Sequence, residues 1–275
     1  MKRLVYLAFA LSLATACAAD DPAGSGPDAG SGADAQPGCT QAADFLDVST
    51  GRAGDAYPAP SLSVECSGDS VLVHSNGIPN FEFVQVTPNP LSDHDYNWSL
   101  PRYPAMAAQT TDVPLVDIAA IAVNGIPIFG PTEAPRDGSR DPYLDGILDY
   151  CNGHTAPGGV YHFHARPDCL LSDATGNTHL VVAYALDGYP ILAPYACDDA
   201  DCTSVSKLRS SYRQLEEPYG TTIQNAWDAH EYVDGLGDLD QCNGKTLPDG
   251  SYAYYATDTF PYFIGCYRGT PRSQR

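Results

Sequence analysis

Three of the seven histidines fall within eleven residues, in the segment GHTAPGGVYHFH that starts at Gly153. Successive strand side chains point to opposite faces, so His162 and His164 project to one side, their Cα atoms about 6.5 Å apart. The turn Ala156-Pro157-Gly158-Gly159 folds the chain back and brings His154 to that side. Three neutral imidazoles with one open position suit zinc, copper or another divalent transition metal. The same residues admit two other readings: half-buried strand histidines bonded to carbonyls and carboxylates, or a metal-free acid/base or substrate-binding cluster.

A fourth ligand or catalytic partner is less plain. His179 and Asp187 are the next candidates, whereas Asp187, in an Asp-Gly pair before Pro190, also reads as a turn residue. Asp149 is adjacent, yet its counterpart Asp240 stands in a segment without histidines, which assigns Asp149 to a turn. His74 and His94 are isolated. Asp137, Arg140, Asp141 and Asp145 read as a solvated loop, with no EF-hand spacing. The sequence has no G-x-S-x-G, no Walker loop and no HExxH.

The elements that must hold these residues repeat. Residues 147–166, ILDYCNGHTAPGGVYHFHAR, align without gaps to residues 238–257, DLDQCNGKTLPDGSYAYYAT. Upstream, IAVNGIPIFGP at 121–131 aligns to YALDGYPILAP at 184–194. Each half reads as an apolar strand, a turn, an excursion and an LDxCNG hairpin, which implies a duplication covering about 115–170 and 178–267. Aligned this way, His154, His162 and His164 become Lys245, Ala253 and Tyr255. The shared Asp, Cys, Asn, Gly and Tyr serve the fold, and the histidines mark one half only. Apolar runs between Gly, Pro, Asn and Asp predict strands at Ser70–His74, Phe81–Val86, Val116–Val123, Gly159–His164, Leu180–Leu186, Ser251–Ala256 and Tyr262–Cys266. Short helices are predicted at Ser204–Gln214 and Gln224–Tyr232.

The start of the chain reads as an export signal. Met1-Lys2-Arg3 is basic, Leu4–Leu13 is an apolar stretch too short to span a bilayer, and Ala14-Thr15-Ala16 precedes Cys17. This predicts a signal peptide over 1–16 and lipidation of Cys17, the alternative being cleavage that frees a secreted protein. Residues 17–38 contain no large apolar side chain after the cysteine and predict a flexible tether. A folded domain is expected over 39–275. The product is an envelope lipoprotein, periplasmic or at the cell surface, held on the outer membrane.

Eight cysteines remain after Cys17, an even number that fits four disulfides in an exported chain. The repeat pairs Cys151 with Cys169 and Cys242 with Cys266. Cys197 and Cys202 bracket a short acidic loop, which leaves Cys39 with Cys66.

Composition sets the class. The 275 residues carry 34 acidic and 14 basic side chains, a net charge of −20, with three lysines, Lys2, Lys207 and Lys245. That excludes nucleic acid as a partner, because phosphate binding needs clustered cations. With 25 Gly, 23 Pro and 18 Tyr, the chain reads as mainly β: one compact, disulfide-stapled domain built from two diverged repeats, with few short helices.

GGVYHFHARPDC, with DYCNGH before it and YALDGYPILAP after, resembles the YHYH-domain family of exported bacterial proteins. The tetrad is Tyr161-His162-Phe163-His164, Phe163 standing where the family has its second Tyr. The likeness extends to HSNGIPNFEF near residue 77, to NGIPIFGP, and to the C-terminal LDQCNG, YAYYAT and FPYFIGCYRGT segments, spanning about 70–270. Family members tend to have His where this chain has Phe81. The resemblance implies the fold, export and, through the histidines, a site, but no reaction.

Two functions follow. One is a metalloprotein of the cell envelope, a metal-dependent hydrolase or copper redox protein. The other is a non-catalytic adhesion module whose Tyr-rich cleft binds glycan or peptide, its histidines structural.

Overall fold

The computed structural model describes residues 38–170 and 174–273. The signal peptide, Cys17 and the tether up to residue 37 lie outside the described residues. β1 (Leu62–Ser67), β2 (Ser70–Ser75) and β3 (Tyr96–Pro101) form an antiparallel sheet in which Val73 faces Val64 on one side and Trp98 on the other. Alternation along β2 buries Val71, Val73 and Ser75. β4 (Thr111–Asp112) is a two-residue strand that waits for the C-terminus.

The central sheet is built from two wings. β5 (Ile118–Ala122) and β6 (Pro127–Phe129) form a hairpin, and β7 (Gly153–Thr155) and β8 (Tyr161–Phe163) form a second one whose β8 lies parallel to β6. β9 (Val181–Ala185) and β10 (Pro190–Leu192) open the other wing as a hairpin. β11 (Tyr195–Cys197) pairs with β12 (Val205–Lys207), and β13 (Tyr212–Gln214) pairs with β14 (His230–Tyr232). Between these last two lies α1 (Ala226–Ala229), whose start is capped by the Asn225 side chain accepting from the Trp227 and Asp228 amides. β15 (Gly244–Thr246) and β16 (Tyr252–Tyr255) complete the second wing, and β17 (Cys266–Tyr267) pairs back to β4.

The eight strands run β15-β16-β10-β9-β5-β6-β8-β7. From the antiparallel β5–β9 joint outward, each wing shows the same steps: a hairpin, a parallel neighbour, a closing antiparallel strand. β5 (IAAIA) and β9 (VVAYA) are near-continuous apolar runs, as strands covered on both faces must be. At the β5–β6 turn Gly125 has φ of 77°, and a Cβ there would meet Leu62 Cδ1 at 2.8 Å and Ser75 Oγ at 2.9 Å. Only glycine lets this turn lie against the first sheet.

The two LDxCNG segments make matching bonds. Asp149 Oδ1 accepts from the Cys151 and Gly153 amides and Oδ2 from the Tyr161 hydroxyl, while Asp240 accepts from Cys242, Gly244 and Tyr252. Asn152 and Asn243 sit at φ of 62° and 64°. These residues hold the turns, as the comparison between halves implies. Disulfides join Cys39–Cys66, Cys151–Cys169, Cys197–Cys202 and Cys242–Cys266.

Four expected elements differ. Phe81–Val86 is not a strand; Pro79 and Pro88 bound it, and Phe83 donates a single main-chain bond to Ala53. Ser204–Gln214 is not a helix, because β12 and β13 find partners outside that window. Gln224–Tyr232 is half helix, half strand. Tyr262–Cys266 is mostly turn, since Pro261 precedes Tyr262 at φ of 64°. Among the described residues no helix is long and apolar enough to cross a membrane.

Candidate metal centre

The β7–β8 hairpin places His154 directly opposite His162. Tyr161 and Phe163 turn to the other face of β8, where Phe81 packs on both rings at 5.8 and 6.2 Å. His162 therefore faces away from that aromatic layer, and His164 follows on the same side. Phe81 belongs to the layer opposite the histidines, so its type does not shorten the histidine set. All three imidazoles are buried, and they are the one such group of three or more possible ligands among the described residues, their ligand atoms within 4.8 Å of one another.

The rings are held from behind. His164 Nδ1 lies 2.8 Å from the Gly130 carbonyl, His162 Nδ1 lies 3.1 Å from that of Val160, and His154 Nδ1 lies 3.4 Å from that of Ile147. A carbonyl only accepts, so satisfying all three places the proton on Nδ1 of each ring. Each Nε2 then carries a lone pair, and these converge. His162 Nε2 and His164 Nε2 stand 2.9 Å apart. Two nitrogens bound to one ion at about 2.0–2.1 Å are separated by about 2.9 Å at a right angle and about 3.4 Å in a tetrahedron. Converging lone pairs repel, and a cation between them removes the repulsion. Nδ1 donating to a carbonyl is also how metal-bound histidines are oriented.

Burial favours the uncharged form of two of these rings, His162 and His164. It pushes His162 well below the ordinary imidazole range, helped by His164 and His154 and opposed by the Val160 carbonyl. Burial likewise holds His164 at about 4, with His154 adding to it and Glu133 and the Gly130 carbonyl pulling the other way.

Glu133 is the residue the sequence reading missed. Its Oε1 lies 3.1 Å from His154 Nε2 and 3.8 Å from His164 Nε2. That oxygen is buried and makes no well-aligned hydrogen bond. The signal was in the sequence: extending the upstream alignment by two residues sets Glu133 against Ala196, another donor present in one half only.

The other candidates lie elsewhere. Asp187, in the β9–β10 turn, accepts from the Tyr254 hydroxyl at 2.6 Å and the Gly269 amide at 2.8 Å, and burial raises its pKa. His179 is exposed, its amide bonded to Asn177. Neither lines the histidine cleft. Asp141, expected in a solvated loop, is fully buried, accepting from the Tyr143 and Leu144 amides and the Tyr262 hydroxyl.

The histidines and Glu133 form the floor of a cavity of about 600 Å³, within the range of small-molecule sites. Phe129 stacks on His162 with centroids 4.0 Å apart and closes one side. A pocket of this size over converging ring nitrogens can admit a molecule to an ion held there.

No curated protein and no solved structure matches the chain. The YHYH family model, described as "YHYH protein", matches residues 97–269, from β3 through both wings to just beyond β17. That stretch is more than half of the sequence and contains Glu133 and all three histidines, and the chain belongs to the YHYH family.

Proposed function

We propose that this protein is an exported, lipid-anchored metalloenzyme in which His154, His162 and His164 hold one divalent transition ion, with Glu133 as the fourth donor. The observation that carries this reading is the convergence of three Nε2 atoms whose Nδ1 atoms all face main-chain carbonyls. Three imidazoles and a carboxylate suit zinc or copper among the divalent ions. When bound, such an ion acts as a Lewis acid on a substrate oxygen or on water.

The chain's own residues do the rest. The three carbonyls fix ring orientation, Phe129 shields the His162 side, and the cleft leads to the floor. The eight cysteines among the described residues are all in disulfides, which leaves no thiolate there for an electron-transfer copper site. This supports chemistry on a substrate over electron relay. Export and anchoring rest on residues 1–38 and on the four disulfides, which persist in oxidising compartments.

The test is elemental mass spectrometry of the full chain, exported to an oxidising compartment, beside the double variant His162→Ala/His164→Ala. About one equivalent of zinc or copper is expected in the native chain and none in the folded variant. A native chain that stays metal-free after incubation with both ions rejects the reading.

A further inference from the structure

The cavity over the histidines has walls that differ from its floor. Leu115, Val116 and Ile147 line it, and these large aliphatic side chains are 46%, 62% and 42% exposed. Three such side chains on one cleft are costly to leave in water unless something covers them. Ile147 links wall to floor, because its carbonyl is the one that faces His154 Nδ1.

Three polar wall residues are already engaged with one another. Thr87, Asn89 and Thr155 bond to one another: Thr87 and Asn89 donate to the Thr155 carbonyl, and Thr155 donates to the Asn89 carbonyl. Arg136 is the one cation among the described lining residues, and its guanidinium pairs with Asp137 at 3.2 Å. The chain as a whole carries a net charge of −20. An anionic ligand thus meets one wall cation, offset by Asp137 and Glu133, and a repulsive field outside the cleft.

We infer that the cleft takes a small, uncharged, predominantly apolar molecule, such as an aryl or branched-alkyl compound, that offers an oxygen to the ion. Leu115, Val116 and Ile147 bind its body and set specificity, and the floor binds its oxygen. This rests on the proposed metal centre, which supplies the partner for that oxygen.

The test uses full-length protein loaded with cobalt(II) and two probes that share one head group, acetohydroxamic acid and benzohydroxamic acid, each neutral in solution and giving up the N–OH proton to solvent when it binds the ion. Each is titrated against the visible cobalt bands, in native protein and in Leu115→Ser/Val116→Ser. Both substituted residues are exposed, so the variant is expected to fold and to hold cobalt, checked by its melting temperature and metal content. Benzohydroxamic acid is expected to bind native protein about tenfold or more tightly than acetohydroxamic acid, from burial of its ring. In the variant that ratio is expected to fall toward one. Equal affinity of the two probes in native protein overturns the inference while leaving the metal centre standing, as does an undiminished ratio in the variant. No cobalt band at all removes the metal centre, and the inference with it.

Discussion

His154 and His162 are directly opposed across the β7–β8 hairpin, their ring centroids 4.8 Å apart. Two imidazoles are thereby fixed by main-chain pairing, and the third follows two residues along the chain. Glu133, reaching in from the loop after β6, is fixed by neither. Replacing it with Gln keeps the shape and removes the charge. Glu133→Gln is expected to weaken metal binding about tenfold or more and to alter the copper(II) paramagnetic resonance spectrum. Unchanged affinity and spectrum would exclude Glu133 from the ion.

Gly153 and Gly244 offer a matched pair of substitutions. A Cβ at Gly153 would lie 2.4 Å from the Tyr161 hydroxyl, and one at Gly244 would lie 2.1 Å from the Tyr252 hydroxyl. Each Ala substitution is expected to cost about 1–3 kcal/mol through overpacking. Only Gly153→Ala should also weaken metal binding, because only it shifts the strand that carries His154. Thermal melts and metal titrations of both variants separate the two effects, and equal metal loss in both would reject this assignment.

Asp141 gives a pH signature away from the centre. Burial raises its carboxyl from 3.8 to about 6, against hydrogen bonds from Leu144, Tyr262 and Tyr143 that lower it and the Asp145 charge that adds to the rise. The folded state therefore takes up this proton before the unfolded chain does. The stabilising contribution is fully present below about pH 4 and is lost as pH rises through about 6. Relative to Asp141→Asn, the native chain should lose on the order of 2 kcal/mol between pH 4 and pH 7. Urea unfolding of both proteins at the two pH values measures it; a constant difference would contradict it.

The envelope assignment is tested at Cys17. If Cys17 is the lipid acceptor, Cys17→Ser should leave the membrane fraction after cell breakage and carry no label from a fatty-acid tracer. A native chain that is itself unlabelled and soluble would show that export ends in release.

The sequence made the histidine set legible because strand alternation and one tight turn suffice to bring three rings together. The disulfides were legible because the repeat paired four of the cysteines, a short acidic loop brought Cys197 and Cys202 together, and Cys39 and Cys66 were left over. Glu133 was not legible as a partner of the rings, although the alignment marks it as a donor in one half only, since its approach depends on a loop path that no periodicity describes. Nor were β12 and β13, whose partners β11 and β14 lie outside the window that suggested a helix, so tertiary pairing overrode local propensity. Asp141 failed for a related reason: a carboxylate among polar neighbours looks solvated until the Tyr262 hydroxyl, 121 residues away, is seen to bond it.

The Cys151–Cys169 bridge closes a ring of chain with a sequence separation of 18, and His154, His162 and His164 all lie inside it. While those thiols are reduced, the three ligands sit on an open strand end with more freedom to separate. Oxidation shortens their leash whether or not an ion is present. For a centre of the kind proposed, the bridge therefore acts as a pin set in the chain itself, and reducing it should loosen the hold on an ion without removing a single ligand.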